Sequence, residues 1–124
     1  MDTKRTETRA EMRAAIFNVA PSFASELVQV EGIEYLVRQP SVDERSIIYL
    51  RAGVTGGDVK QMNLAALQVW SVVSCTRVPV SEELVFEVAD VPSLLARPAG
   101  GLVDKLAEVA MRLMNSTPVA AGKT

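Results

Sequence analysis

Ile33-Glu34-Tyr35-Leu36-Val37-Arg38, followed by Gln39-Pro40-Ser41-Val42-Asp43-Glu44, decides the fold class, because the sequence passes there from a strand pattern to a helix start. Ile33, Tyr35 and Val37 alternate with Glu34, Leu36 and Arg38, which predicts a strand with the first set toward a core. Leu36 spoils the polar face, so a helix is expected over it. Pro40 ends the strand. Ser41 and Glu44 then stand at capping-box spacing, each side chain positioned to accept from the other's backbone N–H. The helix they start should run to about Ala52, burying Val42, Ile47 or Ile48, and Leu50 or the stem of Arg51, before Gly53 closes it. Upstream, Glu26 to Val30 forms a second β-prone run, and the intervening Glu31-Gly32 suits a tight hairpin turn.

On either side the pattern is mainly helical. Thr3 to Val19 suits a helix with Met12, Ile16 and Val19 on one stripe and Ala10, Ala14 and Phe17 beside it; Pro21 stops it. Asp58 to about Val73 also reads as a helix. The β-branched density of Val69 to Val80 suits a strand as well, and periodicity leaves both open. Ser81-Glu82-Glu83 opens onto Leu84-Val85-Phe86. Asp90 and Pro92 then supply a cap and a first-turn proline for a short helix carrying Leu94 and Leu95. After Pro98 and Gly100-Gly101 the last helix spans Leu102 to about Met114. Its main stripe is Leu102, Leu106, Val109 and Leu113, widened by Val103, Ala110 and Met114, with Asp104, Lys105, Glu108 and Arg112 opposite. The expectation is an α+β, mainly helical fold: a short β-hairpin packed with about four or five helices in a single compact domain. Residues 1–20 form an N-terminal helical segment, 21–114 the globular unit and 115–124 a flexible tail.

Composition narrows the function. The chain has 124 residues, of which 48% are hydrophobic, enough for a real core. A net charge of −2 gives no field to attract nucleic acid or anionic lipid. The most apolar stretch, Leu64 to Cys75, is interrupted by Gln68, Ser71 and Ser74 and is too short to span a bilayer. The polar start MDTKRTETRAEMR lacks the apolar core of a signal peptide, so a cytoplasmic location is expected and the sequon Asn115-Ser116-Thr117 is read as unused.

With no histidine and a single cysteine, Cys75, Ser-His and Cys-His catalytic units and a cysteine zinc site are excluded. Glu82, Glu83 and Glu87 are read as solvated charge at a turn, and Trp70 and Cys75 as core. The string Gly53 to Asp58 resembles part of a phosphate-binding loop, but a helix precedes it and Lys60 is off the spacing. Arg5, Arg9 and Arg13 recur every four residues. Glu7 and Glu11 between them favour a solvated face. No enzyme, cofactor or metal is expected.

Two blocks supply a positive reading. Val37-Arg38-Gln39-Pro40-Ser41-Val42-Asp43-Glu44-Arg45 is a strand ending in arginine that enters a capped helix. Leu84-Val85-Phe86, Asp90, Leu94-Leu95, Gly101, Leu106 and Leu113 follow in order. Together with Val69 to Cys75, they resemble the tail assembly chaperones of long-tailed bacteriophages over roughly residues 26 to 114. One departure is Arg77-Val78-Pro79-Val80, where relatives often have an acidic, glycine-containing turn.

The resemblance implies a non-enzymatic protein that binds the long helical tape measure protein and recruits tail tube subunits. It would also imply self-association as a further contact, and absence from the finished virion. The alternative is a structural or adaptor component retained in a phage tail or phage-like particle. The last helix is the expected partner surface, through Val103, Leu106, Ala110, Met111 and Met114; Met111 and Val103 lie off the main stripe.

Overall fold

Glu31 and Gly32 both take the left-handed backbone, with φ of 51° and 81°, which a two-residue hairpin turn requires. They join β1 (Ser25–Val30) to β2 (Ile33–Arg38), with Val28 opposite Tyr35 and Leu27 opposite Leu36. The structure is a computed structural model that describes residues 6–53 and 62–116. A third strand, β3 (Thr76–Arg77), adds antiparallel to β2 and completes the order β1-β2-β3. Leu84 bridges to Arg77 beyond it, and the Val85 amide donates to the Thr76 carbonyl at 3.1 Å.

Beyond the sheet the described residues hold helices α1 (Arg9–Phe17), α2 (Val42–Arg51), α3 (Leu64–Cys75), α4 (Val91–Leu95) and α5 (Leu102–Leu113). The fold is α+β and mainly helical, as expected, with one strand more than a hairpin. α5 lies on the face of the sheet that carries Glu26 and Gln39: Arg112 grips the Glu26 carboxylate at 2.8 and 3.2 Å. α3 packs against α5, α2 and α4. It buries Leu67, Val69, Ser71, Val72, Val73 and Cys75, which lie around most of its circumference. A helix covered on several sides needs no polar stripe. For that reason its sequence also carries a strand-like pattern, although it forms the expected helix.

The capping box at Ser41 is present, with Glu44 N–H to Ser41 Oγ at 3.1 Å and Ser41 N–H to Glu44 Oε1 at 2.8 Å. Gly53 follows α2 with φ of 94°. Ile48 is the deeply buried residue of this helix, whereas Val42 is 77% exposed and Leu50 65%. α2 packs chiefly on α3, so one narrow stripe is covered. Arg51 contributes from its edge by stacking over the Trp70 ring at 4.5 Å.

Other boundaries moved for local reasons. α3 begins at Leu64, where Asn63 caps it: Oδ1 accepts from the Ala66 amide at 3.0 Å. Asp90 does not cap α4; its carboxylate accepts from the Glu87 amide at 2.8 Å and closes a 3-10 turn over Val88–Asp90. Ile33 was expected in the core but is 56% exposed at the hairpin tip, and Leu95 is 50% exposed while Leu94 is buried. Leu36 is half-buried between Leu27 and Arg77 in the cross-strand row. α1 starts after Thr8 and buries none of its residues. The expected helical positions 3–5, the loop and helix start at 54–61, and the tail beyond 116 lie outside the described residues.

Candidate functional site

The turn from β2 into α2 builds an enclosed corner of the surface. Gln39 is buried there, and its amide ties three segments together. Oε1 accepts from the Ala24 amide at 3.3 Å, and Nε2 donates to the Leu113 carbonyl at 3.1 Å and also to that of Ser116. The Gln39 backbone amide donates in turn to the Ala24 carbonyl at 2.8 Å. Around this polar floor lies a groove of about 390 Å³, walled by Pro21, Phe23, Pro40, Val42, Arg45 and Met114. Its walls are largely apolar. Proline supplies two of them because the chain bends at both edges without needing those N–H groups.

Beside the groove, Glu44 faces two arginines. Arg38 Nη2 lies 2.9 Å and Arg77 Nη2 3.7 Å from its carboxylate oxygens, with the side chains only 17% and 15% exposed. Arg38 also stacks over the Phe23 ring at 4.1 Å. Glu44, a capping-box residue of α2, therefore also pairs with arginines at the ends of β2 and β3. Cys75 sits beneath this cluster, fully buried. Burial, and secondarily the Glu44 charge, push its thiol up to about 12, so it stays protonated and unreactive at neutral pH.

Of the expected partner residues, Val103, Leu106, Ala110 and Met114 are buried in the chain's own core, and Met111 is half-buried against it. α5 spends its wide apolar face on β1, β2 and α3. Of these five only the edge of Met111 is presented outward; Met114 borders the groove but is itself buried. Pro21, Phe23 and Gln39 were missed as members of this corner. The available signal was a lone amide between a strand and a proline, with a second proline-containing bend upstream.

Glu82, Glu83 and Glu87 are exposed at the turn where they were expected. Among the described residues no group of His, Cys, Asp and Glu has the arrangement to hold a metal ion, and no helix is long and apolar enough to cross a membrane.

The chain is similar in fold to a solved structure, that of the bacteriophage HK97 tail assembly chaperone. The two align with a TM-score of 0.55 and 19% identity, over 87% of this chain and 100% of the other. The chain shares that structure's backbone fold. The sequence itself matches no family model and no curated protein. The likeness therefore resides in the backbone, where the order of strand, capped helix and leucine-rich closing helix pointed.

Proposed function

We propose that the chain is a non-enzymatic assembly chaperone for a phage tail. It binds the long helical tape measure protein, keeps it soluble and brings tail tube subunits to it, acting in the cytoplasm of the producing cell and leaving before the tail is complete. The observation that carries this reading is the fold shared with the HK97 tail assembly chaperone along that protein's whole length. The surface is consistent with it. Met12, Ile16 and Phe17 are exposed on α1 and Val42 on the groove wall, apolar contacts of the kind that can cover the apolar stripe of a long amphipathic client. Contact through α5 would use the edge of Met111, which is half-buried near its C-terminal end; Val103, Leu106, Ala110 and Met114 would support it from within.

Two measurements test the proposal. Co-expression should raise the soluble yield of its cognate tape measure protein and give a complex that survives purification. Mass spectrometry of purified tails should find none of this chain. Its presence in stoichiometric copies would instead make it a structural or adaptor component.

A further inference from the structure

Among the described residues, α1 is a folded helix with no extensive packing partner in its own chain. Its first turn is fully capped: Glu11 N–H donates to Thr8 Oγ1 at 3.2 Å and Thr8 N–H to Glu11 Oε1 at 2.9 Å. Yet none of its 9 residues is buried, and a helix so short is marginal in water without tertiary packing. Met12, Ile16 and Phe17 are 54%, 66% and 67% exposed. Arg9, Arg13 and Phe17, spaced by four, form one column. Met12 and Ile16 flank the column on one side, and Ala10 and Ala14 on the other.

The capping box changes the reading of the arginines. Glu11 turns back to the helix start and projects from the far side of the helix, so it does not interleave with the column. No carboxylate pairs with Arg9 or Arg13 among the described residues. Arg13 stacks on the Phe17 ring at 5.0 Å, and a shallow hollow of about 430 Å³ runs along Arg9, Arg13 and Phe17 over the two alanines. The small alanines let a second helix approach closely. The arginines select its charge.

We infer that α1 is a docking arm for an acidic amphipathic helix, whose carboxylates meet Arg9 and Arg13 while its apolar residues cover Met12, Ile16 and Phe17. This rests on the proposed function, in which the tape measure protein supplies that helix. The arm leads directly into the groove, since Pro21 and Phe23 form both its continuation and the groove wall.

The test is hydrogen exchange on the full-length chain, alone and with the tape measure protein, for the wild type, for R9E/R13E and for R97E, a charge reversal at an exposed site elsewhere. All three should unfold at the same temperature, because no buried contact is altered. Amides of 9–17 should gain protection in the complex. R9E/R13E should weaken binding at least tenfold and flatten its salt dependence, and R97E should change it less than twofold. A wild-type complex that leaves 9–17 unprotected, or equal effects of R9E/R13E and R97E, overturns the inference while the proposed function stands. Protection that rises with the chain's own concentration assigns the arm to a second copy and also overturns it. If the wild type forms no complex, both readings fall.

Discussion

The Gln39 side-chain amide donates to the carbonyl of Leu113, 74 residues away, at 3.1 Å. This bond joins the end of the sheet to the end of the last helix, where the final carbonyls lack helical partners. Replacing Gln39 by leucine would keep the volume but strand the Leu113 carbonyl and the Ala24 amide in a buried place. The expected cost is about 2–4 kcal/mol, read as a lower urea midpoint with an unchanged slope. A loss below about 0.5 kcal/mol would mean that the corner rearranges without the amide.

Glu44 combines two roles that separate on mutation. Ser41→Ala removes one capping hydrogen bond and should cost about 1 kcal/mol. Glu44→Ala removes the other and also leaves Arg38 and Arg77, both largely buried, without their shared carboxylate. It should cost roughly 2–3 kcal/mol, since a partly buried charge loses its partner. Equal losses in thermal denaturation would reduce Glu44 to a cap.

How far the fold was legible follows from the range over which each signal acts. The Glu31-Gly32 turn and the Ser41-Glu44 cap are local, and they stand in the structure where the sequence places them. The α5 stripe is one-sided because its charged side faces water, so its periodicity survives in the sequence. α3 has no such side, and its start was set by Asn63 rather than by any periodic residue. β3 spans only two residues and exists through pairing with Leu36 and Val37, which no local pattern encodes. The candidate corner was half legible. Its proline and cap were visible, but Gln39 owes its role to Ala24, Leu113 and Ser116, segments whose meeting depends on the whole fold.

Thr76 is completely buried in β3, and its hydroxyl has no hydrogen-bond partner among the described residues. Valine has nearly the same shape and no hydroxyl to desolvate. Thr76→Val should therefore stabilise the chain by about 1 kcal/mol. A fall in the urea midpoint would show that the hydroxyl has a partner worth more than its burial costs.

Cys75 should be silent toward thiol reagents in the native state and should label only at the rate of unfolding. Its folded pKa, about 12, lies above the ordinary value of 9.0, so the folded state holds the proton more tightly. The stability this contributes is complete below pH 9 and declines as pH rises from there toward 12, at up to roughly 1.4 kcal/mol per pH unit. Cys75→Ala should flatten that alkaline decline. An identical decline in wild type and variant would place its origin in other groups.

Val42 offers the sharpest separation of folding from client binding. It stands at the first position of α2, 77% exposed, on the wall of the groove that Met114 also lines. Val42→Asp removes little buried surface and places a negative charge at a helix N-terminus, where the helix dipole favours it. Stability should stay within about 0.5 kcal/mol of wild type. If the groove holds the tape measure protein, a carboxylate there would face an apolar stripe and lose its water, weakening the complex by tenfold or more. Met111→Asp should weaken it as well, but with some cost in stability because Met111 is half-buried against the core. Unchanged co-purification with both variants would move the client contact away from this end of α5 and leave α1 as the surface to examine.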